Sequence, residues 1–218
     1  MNRIYKMDCL EGLKKVKSNS VRLIVADPPY FLGMTHNGQK GSFIDLAICK
    51  PFFTELFNEF KRVLTNDGSV FFFCDWRGYA FYYPIFDNVL GAKNLIVWDK
   101  ISGAGNFYSY NHELAIFHTH SKFNTGGSAI WKEKSFSSGA KKTEGEKVHP
   151  TQKVMPIIER MILDTTNEND FVLDPFCGSG TTGFAAKKLN RNFIGFELNQ
   201  EYFEVIKKRK ETLQFIDL

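Results

Sequence analysis

Two apolar segments of the chain lead into short turns whose residue types suit ligand binding. Residues 21–26 end in an acidic proline turn at 27–30, and residues 171–173 lead into a glycine-bearing turn at 175–181. The carboxyl ends of parallel strands meet at one edge of an open α/β sheet, and ligands bind beyond that edge. If both segments are strands of one such sheet, the two turns form a single cleft that holds two ligands.

The acidic proline turn, Asp27-Pro28-Pro29-Tyr30, has the groups needed to hold a planar amine. Its two prolines fix the backbone and withhold two donors, so the carbonyls can point outward as acceptors. Asp27 and the Pro28 carbonyl could each accept one hydrogen of an exocyclic amine, and the carboxylate would stabilise positive charge that develops on that nitrogen. Tyr30 could stack on an extruded base and return roughly 1–3 kcal/mol. The structural alternative is a stiff turn beside a core tyrosine.

The glycine turn fits a nucleoside-bearing cofactor. Gly178, Gly180 and Gly183 have the spacing of a dinucleotide fingerprint, and Glu197 ends the next predicted strand, where an acidic side chain can bind ribose hydroxyls. A nicotinamide dehydrogenase would leave the turn at 27–30 without a role, and a glycine turn that serves only tight packing would leave Glu197 without one. The two turns together therefore predict methylation of an amino group on a nucleobase.

Short β-rich segments alternate with longer amphipathic ones, which is the pattern of a sheet covered by helices on both faces. The predicted strands are 3–7, 21–26, 69–74, 94–98, 114–118, 171–173 and 192–196. The predicted helices are 52–64, ended by Asn66-Asp67-Gly68, one that begins near Pro156, and two more over 182–189 and 200–213. The sequence therefore predicts an α/β fold with a Rossmann-like, mostly parallel seven-stranded sheet.

The composition favours a cytoplasmic protein with one domain. With 218 residues, of which 43% are hydrophobic, the chain can bury one large core, so we expect a single domain over 1–218. Cys9, Cys49, Cys74 and Cys177 have neither metal-site nor disulfide spacing and are expected to be reduced thiols. We expect neither a signal peptide nor a membrane span, and the net charge of +4 only weakly favours a polyanionic partner.

Three long glycine-bearing or polar stretches interrupt the regular pattern, at 31–42, 102–111 and 123–147. Loops of this length inside a compact domain are usually functional or disordered. The first stretch is predicted to be a lid. The third is rich in lysine, a composition that both solvated loops and nucleic-acid-binding segments have. His118 and His120 share a strand face without a third ligand nearby, so no metal site is predicted.

Several motifs in a fixed order resemble those of the amino-methyltransferases of DNA, in the permuted arrangement called the beta class. The matching segments are Asp-Pro-Pro-Tyr at 27–30, Phe-x-Gly-x-Gly at 176–180, Gly-Phe-Glu at 195–197, Met7-Asp8-Cys9, Asn19-Ser20-Val21, Trp98-Asp99-Lys100, His112-Glu113, the segment 148–153, and Glu201-Tyr202 with Arg209. The resemblance covers nearly the whole chain and implies the permuted methyltransferase strand order.

The resemblance implies that S-adenosyl-L-methionine is the cofactor. Glu197 would bind its ribose hydroxyls, Asp8 its adenine amine, and Thr151 and Gln152 its methionine end. The remaining residues that the resemblance assigns to cofactor binding are Cys9, Asp27, Phe176, Gly178, Ser179, Gly180, Thr181 and Leu198. No metal is implied, because the positively charged sulfur already makes the methyl group electrophilic.

The resemblance also implies double-stranded DNA as the substrate, with Asp27, Pro28, Pro29 and Tyr30 as the catalytic turn that binds a flipped base. Family members that act on cytosine N4 often carry serine at the position of Asp27, so adenine N6 is the favoured target and cytosine N4 the nearest alternative. RNA and protein glutamine amides are further alternatives. A non-catalytic DNA-binding subunit with a retained cofactor pocket is the alternative from another class.

Two departures from the family pattern bear on the expected partners. Val154 stands where the family usually has proline, a change expected to be tolerated. Many members insert a sizeable target-recognition domain, whereas this chain offers only residues 123–147 as a short candidate DNA-recognition loop. We therefore expect a homodimer mate or a second subunit to supply part of the DNA contact. The recognition sequence and any cognate restriction enzyme are not predicted.

Overall fold

The computed structural model describes residues 2–29, 35–36, 39–40, 46–103, 105, 107–121, 127–136, 152–208 and 214–217. Within these ranges, no helix combines the length and apolar character needed to cross a membrane. The predicted lid at 31–42 falls mostly outside the described residues, apart from the backbone of a short hairpin.

The described chain alternates strands and helices from its start. The strands are β1 (Asn2–Lys6), β2 (Val21–Ala26), β3 (Thr35–His36), β4 (Gln39–Lys40), β5 (Leu64–Cys74), β6 (Asn94–Asp99), β7 (His112–Thr119), β8 (Ile130–Lys132), β9 (Phe171–Asp174), β10 (Asn192–Glu197) and β11 (Gln214–Asp217). The helices are α1 (Cys9–Lys15), α2 (Leu46–Val63), α3 (Trp76–Val89), α4 (Met155–Thr165), α5 (Thr181–Lys188) and α6 (Gln200–Lys208).

One large sheet carries most of the fold, in the order β11-β1-β10-β9-β2-β5-β7-β6-β8, and β3 pairs with β4 separately. Among the described strands of the large sheet, β7 runs antiparallel to both neighbours and the other pairings are parallel. The predicted α/β fold with a mostly parallel sheet is confirmed, and all seven predicted strands are present. The described sheet has nine strands, however, because β8 and β11 extend its two edges.

The acidic proline turn and the glycine turn lie at the ends of adjacent strands, as the sequence predicts. Strand β2 pairs in parallel with β9, with Leu23 opposite Val172 and Ile24 opposite Leu173. Parallel neighbours in register end at the same edge of the sheet, so Asp27 and the glycine turn share that edge. Strand β10 pairs with the other side of β9 and ends there at Glu197.

Helices cover both faces of the sheet, and each face has its own apolar core. On one face α1, α2 and α3 bury Leu13, Phe57 and Phe86. On the other face α4, α5 and α6 bury side chains such as Ile158. Side chains of a strand point alternately to opposite faces, and accordingly Phe72 of β5 joins the first core. Its neighbours in β5 join the second, so the predicted strand 69–74 is buried on both faces at this point.

The start of β5 differs from the prediction. Helix α2 ends at Val63 and β5 begins directly at Leu64, so the Asn66-Asp67-Gly68 turn does not end the helix. Residues 65–68 instead form an irregularity in the strand, because Val21 pairs with Leu64 whereas Leu23 already pairs with Ser69. The Arg22 side chain crosses this irregularity and forms an ion pair with Asp67. The bulged strand thus replaces the predicted loop.

Candidate active site

The acidic proline turn begins where β2 leaves the core. Pro28 is buried and Pro29 is exposed, while the Asp27 side chain is partly buried. One carboxylate oxygen of Asp27, Oδ2, contacts the Nζ atom of Lys153 at 2.6 Å. Tyr30, the aromatic residue predicted to stack on the base, lies outside the described residues.

Lys153 is the centre of a chain of alternating charges. Its side chain is only 5% exposed, and its Nζ atom also lies 3.1 Å from Oε2 of Glu113. Glu113 in turn pairs with Lys100 at 3.3 Å, and the Lys153 ammonium lies 4.7 Å from the centre of the Phe73 ring. Burial by itself lowers the pKa of Lys153, but the Asp27 and Glu113 carboxylates outweigh it and raise that pKa above its usual value. Lys153 is therefore a buried ammonium at neutral pH.

The glycine turn joins β9 to α5 through left-handed backbone conformations. Gly178 has φ 51° and Gly180, the residue that caps α5, has φ 79°. Glycine adopts this region without the steric cost that a Cβ atom brings. A Cβ atom on Gly180 would also lie 2.8 Å from Cγ2 of Ile206 in α6. The turn is further fixed by the Cys177 amide, which donates to the Phe196 carbonyl at 2.9 Å.

Glu197 is held rigidly beside the glycine turn. Its Oε2 atom accepts a hydrogen bond from the Gly178 amide at 2.7 Å, and its Oε1 atom accepts one from the Asn199 amide at 2.7 Å. Burial raises the pKa of this carboxyl, although the backbone hydrogen bonds act in the opposite direction. Each carboxylate oxygen has a second lone pair, so the fixed carboxylate retains the capacity to accept ligand hydroxyl groups.

Asp8 and Cys9 lie beside Glu197 at the start of α1. The Met7 amide donates to the Glu197 carbonyl at 3.1 Å, and the Asp8 carboxylate caps α1 by accepting from the Leu10 amide at 2.9 Å. Burial raises the pKa of the Cys9 thiol to about 12, so it stays protonated. Cys9 can therefore line a binding site but cannot act as a nucleophile at neutral pH.

The other predicted cofactor residues surround the same turn. Ser179 and Thr181 are buried, and their hydroxyl oxygens lie 3.1 Å apart. Gln152 is buried, Phe176 is half-buried, and Leu198 is 67% exposed at the rim. Thr151 lies outside the described residues.

Lys153 contacts both the acidic proline turn and the glycine turn. The Thr181 hydroxyl at the start of α5 donates to the Lys153 backbone carbonyl at 3.4 Å, while the Lys153 ammonium contacts Asp27. The acidic proline turn and the glycine turn are therefore two parts of one site.

Two buried charged residues of the site were not singled out from the sequence. Lys153 belongs to the segment 148–153 of the resemblance, where no separate role was predicted for it, and its side chain lies buried just before the apolar helix α4. Asp174, the last residue of β9, is also buried, and its Oδ1 atom accepts from the Phe176 amide at 2.9 Å. Burial raises the pKa of Asp174 to about 7, with smaller contributions from the nearby Asp27 and Glu197 charges.

The paired histidines have a structural role. His118 is fully buried, with Nδ1 2.8 Å from the Gly91 carbonyl oxygen, and its ring packs edge-on against His120. Burial lowers the pKa of His118, which favours its neutral form. Across the described ranges, no three His, Cys, Asp or Glu side chains are grouped so that they could hold a metal ion.

Comparison with known proteins identifies the family. Residues 21–208 match the family model of the N6/N4 DNA methylases. The chain belongs to this family. Two type II methyltransferases are similar to this DNA methylase over most of its length. M.HpaI of Haemophilus parainfluenzae is 33% identical over 96% of this chain and 74% of its own, and M.HinfI of Haemophilus influenzae is 33% identical over 98% and 69%.

Two solved structures have the same fold as this DNA methylase. The M1.HpyAVI–SAM complex is 29% identical, with a TM-score of 0.70 over 96% of this chain and all of the other. The cytosine-N4-specific PvuII DNA methyltransferase is 20% identical, with a TM-score of 0.77 over 97% of this chain and 87% of the other. At 20% identity, the similarity to the PvuII enzyme shows a shared fold alone.

Proposed function

We propose that this DNA methylase transfers a methyl group from S-adenosyl-L-methionine to the exocyclic N6 amine of adenine in double-stranded DNA, within a specific sequence. The observation that carries the proposal is the position of Asp27 and the glycine turn at the ends of adjacent parallel strands. This arrangement brings a carboxylate for an amine next to a turn for a nucleoside. We treat residues 1–218 as one methyltransferase domain.

The residues of the glycine turn fit the cofactor. Glu197 binds the ribose hydroxyls through the lone pairs that its backbone hydrogen bonds leave available. The cap residue Asp8 binds the adenine amine, and Thr151 and Gln152 hold the methionine end. The other residues that line the site are Cys9, Phe176, Ser179, Thr181 and Leu198. When bound, the cofactor supplies a methyl group on a positively charged sulfur, and the amine lone pair forms the new N–C bond as the S–C bond breaks and its electrons return to sulfur.

The acidic proline turn binds and orients the amine. Asp27 and the Pro28 carbonyl accept its two hydrogens, which localises the nitrogen lone pair and stabilises the positive charge that develops on nitrogen. Tyr30 stacks on the base after it leaves the duplex. Extrusion costs a few kcal/mol, and stacking on an aromatic side chain returns roughly 1–3 kcal/mol, so the two effects are comparable. Orientation of the amine toward the methyl group supplies much of the acceleration.

Adenine is favoured over cytosine by the residue type at position 27. The fold does not separate the two, because a cytosine-N4-specific enzyme shares it. Asp27 resembles the adenine enzymes, whereas many cytosine enzymes carry serine there. N4 of cytosine therefore remains the second candidate target.

The rim around the site has side chains suited to DNA. The chain between β6 and β7 leaves the sheet at the same edge as Asp27, and it exposes Phe107 by 96% and Tyr108 by 91%. Exposed Lys132 and Lys134 lie near its base, where the Glu133 amide donates to the Asp99 carbonyl at 3.1 Å. Aromatic rings can stack on opened bases, and lysines can neutralise phosphates.

The candidate recognition segment 123–147 is described only over 127–136. The segment was predicted to be a loop, but this part of it contains β8, which pairs with β6. Lys132 at the end of β8 lies opposite Asp99 and so close to the rim. Because the segment is short, a homodimer mate or a second subunit supplies further DNA contacts. Sedimentation of the protein on its DNA as a monomer with full activity would contradict this part.

The direct experiment combines the protein with labelled S-adenosyl-L-methionine and unmethylated DNA, followed by mass spectrometry of the nucleosides. N6-methyladenine is expected, and Asp27→Ala should abolish it while Asp87→Ala, at an exposed carboxylate at the end of α3, should not. Label in N4-methylcytosine would overturn the choice of base. Absence of label from DNA bases would overturn the proposal.

A further inference from the structure

The contact between Lys153 and Asp27 places an ammonium group beside the carboxylate that is proposed to bind the amine. The two groups are 2.6 Å apart, and the Lys153 side chain is almost completely buried. The contact engages Oδ2 of Asp27, and a carboxylate accepts hydrogen bonds on both oxygens. Lys153 can thus hold Asp27 without occupying its whole capacity to accept.

Stability alone does not account for a lysine at this position. Replacing a buried ion pair by well-packed apolar residues is often neutral or stabilising, so such a pair is weak support for a purely structural role. Lys153 precedes the apolar helix α4, yet its buried ammonium lies between the Asp27 and Glu113 carboxylates. The charge of Lys153 therefore points to a function at Asp27.

Within the described part of the chain, Lys153 is a cation in direct contact with Asp27. Cys74 at the end of β5 and Tyr82 in α3 lie near Asp27. Burial raises the pKa of each well above its usual range, and the Asp27 charge raises it further, so both side chains are neutral at pH 7. Asp174 also senses Asp27, and any negative charge on it would disfavour ionisation of Asp27. Lys153 supplies the opposing charge, and Glu113 holds its ammonium from the other side.

We propose that Lys153 is a positioning residue that keeps Asp27 ionised and in place, so that Asp27 accepts hydrogen bonds from the target amine but does not take its proton. This inference rests on the proposed function. An ammonium in contact with a carboxylate weakens that carboxylate as a base but leaves its lone pairs able to accept hydrogen bonds. The nitrogen keeps its hydrogens while the N–C bond forms, and the excess proton of the methylated amine then passes to water.

Direct titration of Asp27 tests the inference without any cofactor or DNA. The carboxyl carbons of ¹³C-labelled protein are followed by NMR against pH, and the Asp27 signal is assigned by its loss in Asp27→Asn. In Lys153→Met the midpoint for Asp27 should rise by about one pH unit or more, because the cation is gone. In Glu113→Gln the midpoint should fall, because a negative charge is removed while Lys153 stays. Opposite shifts would show that the Lys153 charge, balanced by Glu113, acts on Asp27, and the rate measurement below separates a positioning role from a merely structural one.

A matched control and a kinetic measurement complete the test. Lys188→Met removes an exposed lysine that pairs with Glu159 at the same 2.6 Å distance, and it should leave the Asp27 midpoint unchanged. In Lys153→Met the single-turnover rate of methyl transfer should fall at least about tenfold while the cofactor Kd changes less than about threefold.

An unchanged Asp27 midpoint in Lys153→Met, or shifts of the same sign in Lys153→Met and Glu113→Gln, would overturn the inference. A loss of cofactor affinity in step with the rate would also overturn it, because Lys153 would then serve the cofactor. If Lys153→Met does not fold, Lys153→Gln, which keeps a hydrogen-bond donor beside Asp27 but removes the charge, is titrated instead, and an unchanged Asp27 midpoint in it would overturn the inference. If the wild-type protein methylates no DNA base, the proposed function fails while the NMR titration still reports on Lys153.

Discussion

Replacing Asp174 with asparagine should stabilise the protein at alkaline pH and leave its stability near pH 4 almost unchanged. Asp174 is buried at the end of β9, and burial raises its pKa from 3.8 to about 7, although hydrogen bonds from Thr182 and the Phe176 amide oppose this rise. Asparagine has the same shape and keeps an oxygen that accepts from the Phe176 amide. The substitution therefore removes the titration while it preserves the local geometry.

The sign follows from the two pKa values of this carboxyl. In the unfolded chain it ionises near 3.8, whereas in the folded protein it holds its proton up to about pH 7. Between these values the folded state binds more protons, so stability falls as the pH rises, and the full loss is present above about pH 7. A difference of roughly three pKa units at about 1.4 kcal/mol each gives about 4 kcal/mol as an upper estimate of this loss.

Urea unfolding of both proteins at pH 4, 6 and 8, followed by tryptophan fluorescence, measures this difference. We expect Asp174→Asn to be more stable than the wild type by about 2–4 kcal/mol at pH 8 and by less than about 1 kcal/mol at pH 4. The exposed-site variant Asp87→Asn should show no such pH dependence. A stability gain that is equal at all three pH values, or that is largest at pH 4, would refute the reasoning.

Three further variants test separate parts of the structure. Gly195→Ala would place a Cβ atom in collision with Sγ of Cys177, so the unfolding free energy should fall by about 1–3 kcal/mol in urea titrations, and adding Cys177→Ala should restore part of the loss. Glu197→Gln should weaken cofactor binding about 10- to 100-fold by calorimetry, since hydrogen bonds to a charged group contribute about 1.5–3 kcal/mol each; unchanged affinity would exclude Glu197 as the ribose acceptor. Replacing Phe107 and Tyr108 together by alanine should raise the Kd for duplex DNA at least about fivefold in fluorescence anisotropy, given roughly 1–3 kcal/mol per stacked base, with the cofactor Kd unchanged. Equal DNA affinity in this variant and the wild type would remove these aromatic residues from the DNA interface.

The central strands could be predicted from the sequence because each is a dense run of β-branched or aromatic residues next to a turn. Strands β8 and β11, with three and four residues, were missed because edge strands this short leave no periodic pattern. Helices α1 and α3 were also missed. Helix α1 has only seven residues, and α3 is rich in aromatic residues and contains Gly78 and Pro84, which lower helix propensity. Local patterns therefore indicate the middle of the sheet better than its edges.

The positions of the candidate site residues followed partly from the same patterns. Asp27 directly follows one strand, Glu197 ends another, and the glycine turn follows a third, so the sequence predicts that they lie at one edge. Lys153 could not be recognised in this way, because its contact with Asp27 joins residues 126 positions apart. Burial of a charged residue depends on such distant contacts, of which the local sequence gives no sign.

The central claim is that the two turns bring an amine and a methyl donor together. A crystal structure of the protein with the cofactor analogue sinefungin and a duplex that contains the methylated sequence would test it most directly. We expect the flipped adenine to lie with its N6 atom hydrogen-bonded to Asp27 and within about 3.5 Å of the analogue's group that replaces the methyl. An adenine that stays in the duplex, or an analogue bound away from Glu197 and the glycine turn, would contradict the account.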